Sequence, residues 1–104
     1  MNIYLLSQTE LVGYDTYDSC VVLAETEEEA RTIHPNSNFK YRDDLSRWVR
    51  DSWYDKYLKE NIIPYFDSSW CKHPEAVIVK YLGEFKGNLD DYPTRIICSS
   101  FNAG

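Results

Sequence analysis

The chain has 104 residues, enough for one domain built on a single core with little to spare. Hydrophobic residues make up 43% and charged residues 27%, which excludes a disordered chain, and no apolar stretch approaches the roughly 18 residues that a membrane span requires. The formal charge of −6 repels nucleic acid, so no direct nucleic-acid binding is expected and a basic partner is favoured.

The first strand is expected at "IYLLS", residues 3–7, a short apolar run between polar neighbours. The opening "MNIYLLSQTELV" has neither a charged leader nor a small-residue cleavage site, so a cytoplasmic chain is expected. "CVVLA", residues 20–24, is β-branched and predicts the second strand. The connection between them, residues 8–19, is long for a hairpin and carries "GYDTYDS". "TEEEARTIHP", residues 26–35, predicts a helix. Thr26 and Glu29 have the spacing of a capping box, Glu27 and Glu28 lie at the positive end of the helix dipole, and Ala30 and Ile33 face inward. Pro35 ends it.

After the polar link 36–42, a second helix is expected over about Asp43 to Asn61. At 100° per residue, Leu45, Trp48, Val49, Trp53 and Tyr57 share a stripe, with Tyr54 and Leu58 on the opposite side. Asp43 with Arg47 and Asp55 with Lys59 are acid-before-base pairs at i,i+4. "AVIVKYLGEF", residues 76–85, predicts a strand with Gly83 at a bulge or end, and "RIICSSF", residues 95–101, predicts the last. The order β-β-α-α-β-β describes a single α+β domain over residues 1–104. It consists of one four-stranded, mainly antiparallel sheet with two helices on one face.

Residues 1–34 hold seven acidic groups against Arg31 alone and carry the whole net charge. A solvated acidic face explains this more simply than imitation of nucleic acid for a basic protein. Asp15 and Asp18, with His34, could form an acid-base group if their environments set their pKa values apart. Gly, Asp, Thr and Ser are also turn formers, and a turn is the plainer reading of the motif, ahead of a binding loop and then a catalytic one. Cys71 and His73 lack a common zinc-ligand spacing, so no metal and no cofactor is expected. Cys20 and Cys98 lie in apolar runs, as small hydrophobes, and three widely spaced cysteines suit a reduced compartment. Nine of sixteen aromatic residues fall between 39 and 70, more than a core this small can hide. Exposed Trp and Tyr dominate binding hot spots.

The segments "IYLLSQTELVGYDTYDSCVVLAETEEEARTIHP", "SWCKHPEAVIVKYLGEF" and "IICSSFNAG" together resemble a small family found in phage, prophage and bacterial genomes. Its members share the Ser-Gln-Thr-Glu strand end, the Gly-Tyr-Asp-Thr-Tyr-Asp-Ser loop, a Glu-rich helix ending in His-Pro and a terminal Ser-Phe-Asn-Ala-Gly. The likeness covers the two ends, about two thirds of the chain, while residues 39–66 depart from it and read as a helical insertion. The resemblance implies a bacterial host cell and a phage-type protein that counters host defence. The leading expectation is therefore a non-catalytic inhibitor that binds a host defence protein through Tyr14, Asp15, Tyr17, Asp18, Trp53, Tyr54 and Leu58. One alternative is a sponge for a nucleotide-type ligand held by Tyr14, Tyr17 and Arg95, with a homo-oligomer left open. Another is a small enzyme using Asp15, Asp18 and His34.

Overall fold

The computed structural model describes residues 1–44, 46–50 and 69–102, with Arg50 in its backbone alone. Asn2–Ser7 form strand β1 and Thr16–Ala24 form β2, antiparallel, with Tyr4 opposite Val22 and Leu6 opposite Cys20. Ile78–Glu84, which we number β5, adds to the outer side of β1, and Ile96–Asn102, β6, adds to β2. The sheet order is β5-β1-β2-β6, every neighbour antiparallel. The protein is thus a small α+β fold on a four-stranded antiparallel sheet. Gly83 acts as expected: the β1–β5 register slips between Ile3 and Tyr4, opposite Gly83, whose φ of +150° suits glycine.

One face of the sheet carries the core. Tyr4, Leu6, Cys20, Val22 and Ala24 lie on it, covered by Ala30, Trp48, Trp70, Cys71 and Val77. Burial of each large side chain contributes about 1.5–3 kcal/mol. Ala30 belongs to α1, Glu27–Arg31, which starts as the capping spacing predicts: Thr26 Oγ1 accepts from the Glu29 amide at 3.1 Å. Arg31 ties α1 to the Pro74–Ala76 turn by donating to the carbonyls of Val77 and Pro74, and it bridges Glu27 at 3.0 Å.

Two expectations need correction. The first helix ends at Arg31, three residues before the expected end at His34, and Ile33, His34 and Pro35 instead turn into the protein interior. The second helix and the helical insertion at 39–66 fail over their described part. Phe39–Arg42 form β3 and Arg47–Arg50 form β4, an antiparallel hairpin with Tyr41 opposite Trp48. Aromatic and β-branched residues at 39, 41, 48 and 49 suit a pleated surface as well as a helix stripe. Arg42 closes the tip by a bidentate pair with Asp44 at 3.1 and 2.6 Å, and Ser46 adopts the left-handed φ of 53° that a tight turn needs. The hairpin is pinned to the core where Trp48 Nε1 donates to the Cys71 carbonyl at 2.8 Å. Among the described residues there is therefore one α-helix rather than two, and a second, two-stranded sheet. Trp53, Tyr54, Tyr57, Leu58, Asp55 and Lys59 lie outside the described residues.

No helix among the described residues is long and apolar enough to cross a membrane.

Candidate functional site

The "GYDTYDS" motif is divided between a loop and a strand. β2 begins at Thr16, so the connection is residues 8–15, shorter than expected. Gln8 organises it from within. Its Oε1 accepts from the Leu11 amide at 2.8 Å, and its Nε2 donates to the carbonyls of Leu11 and Tyr17. Gly13 and Asp15 both take left-handed φ values, 110° and 60°, and Thr16 Oγ1 bonds back to the Gly13 carbonyl at 2.8 Å. The turn that the residue types favour is formed.

The candidate residues in it face different surroundings. Tyr14 stands 81% exposed at the loop tip. Asp15 is fixed through its backbone, which donates to the Asn102 carbonyl. Tyr17 is half-buried, its ring 4.8 Å from Phe101 and 6.1 Å from the His34 ring. Asp18 occupies a bulge and accepts from Asn102 Nδ2 at 2.8 Å.

His34 is 2% exposed, with its ring packed among Phe39, Trp48 and Tyr17. Its Nδ1 accepts from the Asn36 amide at 2.8 Å, which places the proton of a neutral ring on Nε2. Asp15 and Asp18 are thus both tied to Asn102, the one through its backbone amide and the other through its carboxylate, while the His34 imidazole bonds to Asn36. Tyr14, Tyr17 and Arg95 do not form one site. The Arg95 carbonyl accepts from Leu23, six residues along β2 from Tyr17, or roughly 20 Å of strand. The Arg95 guanidinium donates to the carbonyls of Leu89 and Tyr92 at 3.1 and 3.0 Å.

A different feature concentrates exposed charge: an open groove of about 860 Å³ between α1, β3 and the chain around Arg95. Its walls include Glu28, Glu29, Asp43 and Glu75, with Arg31, Lys40 and Arg95 as the cations among its described lining residues. Arg31 and Arg95 already serve backbone carbonyls. Both keep their charge, so four carboxylates face three cations, of which only Lys40 is exposed. The groove carries a slight negative excess, and Glu25 and Glu27 extend the acidic surface beyond the rim. Phe39 and Tyr41 supply the apolar wall. The Tyr41 hydroxyl shares a hydrogen bond with His73 Nδ1 at 2.9 Å. Burial, then the Glu75 and Asp43 carboxylates, push the Tyr41 phenol above its usual range, against a Ser46 hydrogen bond that lowers it.

The sequence marked Glu28 and Glu29 as helix-end charges within an acidic N-terminal third. Nothing in it connected them to Glu75 or Asp43, because that juxtaposition depends on the hairpin. Cys71 and His73 do not form a ligand pair. The Cys71 sulfur lies 3.7 Å from the His73 carbonyl while the imidazole faces Tyr41, and among the described residues no cluster of three ligand-type side chains is present. Cys98 corrects another expectation, being exposed on edge strand β6, while Cys20 is buried with its thiol pushed up to about 12 by desolvation and by Cys98. In comparisons with protein families, with curated proteins and with solved structures, the chain matches none.

Proposed function

We propose that this chain is a non-catalytic binding protein of the phage type its resemblance implies, which blocks a host defence protein by holding a basic segment of it in the groove beside α1. The observation that carries the reading is the opposed carboxylates of Glu28, Glu29, Asp43 and Glu75 around an open groove with a ring-bearing wall. Such a surface attracts lysine and arginine side chains, speeds their encounter and lets their alkyl stems lie on Phe39 and Tyr41. Exposed Tyr14 offers a further contact outside the groove. The same charge balance disfavours a phosphate-bearing ligand, which makes the nucleotide sponge the weaker reading.

The experiment is complex formation between this protein and a panel of purified defence effectors, followed by titration calorimetry. The expected result is a complex with at least one basic effector that Glu28→Lys/Glu29→Lys weakens roughly a hundredfold, and that raised salt also weakens. Both glutamates are exposed, and lysine in the first turn of α1 opposes the helix dipole. A neutral Glu28→Gln/Glu29→Gln variant, with the fold checked by circular dichroism, therefore accompanies the reversal. A complex indifferent to the double reversal, or no complex across the panel, overturns the proposal.

A further inference from the structure

An antiparallel sheet with one solvated face alternates apolar and polar residues along its strands. The two inner strands here do not. Opposite the core-bearing face, the register places Ile3 and Leu5 of β1 beside Leu23 and Val21 of β2. Ile78 of β5 and Cys98 of β6 lie on the same side, opposite Ser7 and Val21 respectively. Only Leu23 is fully buried, at the end where residues 85–95 return and the Arg95 carbonyl takes its amide. Ile3, Leu5 and Val21 are half-buried, Cys98 is exposed and Ile78 is 51% exposed.

The chemistry of this second face grades outward. Leu5 and Val21 pair at its middle, and the next row reads Ile78, Ser7, Ser19 and Ser100. Lys80 stands at one edge, opposite Leu5, and Asp18 at the far rim. An apolar centre inside a polar rim is the anatomy of a protein interface.

We infer that this face is a homodimer surface, on which a second copy of the chain packs sheet to sheet about a two-fold axis. Charge argues for a second copy. A chain of net charge −6 repels itself wherever its carboxylates face each other, and Glu25, Glu27, Glu28 and Glu29 lie on or beside α1, which covers the other side of the sheet. The second face presents Lys80 and a rim aspartate, and the segment at its Leu23 end adds Lys86, Asp90 and Asp91. It carries far less of the net charge than the α1 side and can meet itself at little cost. A two-fold axis near the Leu5–Val21 pair sets apolar centre on apolar centre at about 10 Å between sheets. Size sets the strength. Four strands about 4.8 Å apart and about six residues long give a footprint of roughly 19 by 20 Å in projection, with its Leu23 end already covered. That falls short of the roughly 800 Å² per partner of a standard interface, so the dimer is a weak one that fills in the micromolar range. This surface is separate from the groove, so the groove's binding role can fail while the dimer stands.

The test is sedimentation of the full chain from low to high micromolar concentration, paired with the rate at which maleimide alkylates Cys98. We expect twice the monomer mass at high concentration and alkylation of Cys98 slowed roughly tenfold as the dimer fills, since sheet packing removes its access to reagent. Ile78→Glu places a charge in the interface from an already exposed position, so it folds, and it should weaken the dimer by roughly tenfold or more and restore fast alkylation. A monomer with fast Cys98 at every concentration overturns the inference. A monomer with slow Cys98 throughout also overturns it, because the face is then covered within one copy. A dimer unaffected by Ile78→Glu overturns it too, by placing the contact elsewhere.

Discussion

At the scale of single residues, environment separates groups that look alike in the sequence. Cys20 and Cys98 both lie in apolar runs and appear equivalent, yet Cys20 is buried, as is Cys71, and Cys98 is exposed. The thiol of Cys20, pushed up to about 12, is ionised to about one part in ten thousand at pH 8. Intact dilute protein should therefore take up one maleimide at pH 8, at Cys98, and all three only after unfolding, as mass spectrometry of the labelled peptides will show. Rapid labelling of Cys20 in the folded state would contradict its burial. The raised thiol also sets a sign. The folded state holds its proton more tightly than the unfolded chain does, so the Cys20 contribution to stability falls as pH rises from about 9 to about 12. Gln8 shows the opposite case, a side chain with no signal in the sequence that makes three hydrogen bonds and shapes the whole 8–15 loop. Its role depends on which carbonyls the loop leaves unpaired, and no spacing rule records that.

Elements were legible where local chemistry and burial agree. The Thr26–Glu29 spacing located the start of α1 to the residue, because a capping bond is made within one turn. The end of α1 was not legible. Five helical residues are too few to hold a helix on their own, and the tertiary pull of Ile33 and His34 into the core decides where it stops. The strands at both chain ends followed from apolar, β-branched runs. The segment at 39–50 misled, since helix stripe and pleated hairpin share the same residue types and only the Asp43–Ser46 turn distinguishes them. Trp48 is where the hairpin meets the sheet, so Trp48→Phe tests that attachment. It leaves the Cys71 carbonyl without its donor and should lower stability by about 1–3 kcal/mol in denaturant melts. Arg42→Ala, which removes the part-exposed tip pair with Asp44, should cost less, about 0.5–1 kcal/mol. Equal losses from the two variants would mean that the hairpin is held by its tip rather than its tryptophan.

At the scale of the whole molecule, the sheet separates two kinds of surface. Its covered face carries the core, α1, the hairpin and the acidic groove, and its other face is apolar and carries far less of the net charge. The lopsided negative charge of residues 1–34 was legible in the sequence. That its glutamates would be joined by Asp43 and Glu75 from elsewhere in the chain was not, because a groove is a property of packing. Of the nine rings between 39 and 70, Phe39, Trp48 and Trp70 are buried and Tyr41 is half-buried, and the other five lie outside the described residues. The exposed rings among the described residues, Tyr14, Tyr81 and Phe101, come from other parts of the chain. The claim on which the rest depends is that a basic partner protein occupies the groove. Hydrogen exchange on the complex with a bound effector measures this most directly. The account predicts slowed amide exchange over residues 27–34 and 39–43, with the β5 and β6 strands unchanged by the effector. Protection confined to β5 and β6, with α1 and β3 exchanging as in the free protein, would contradict it.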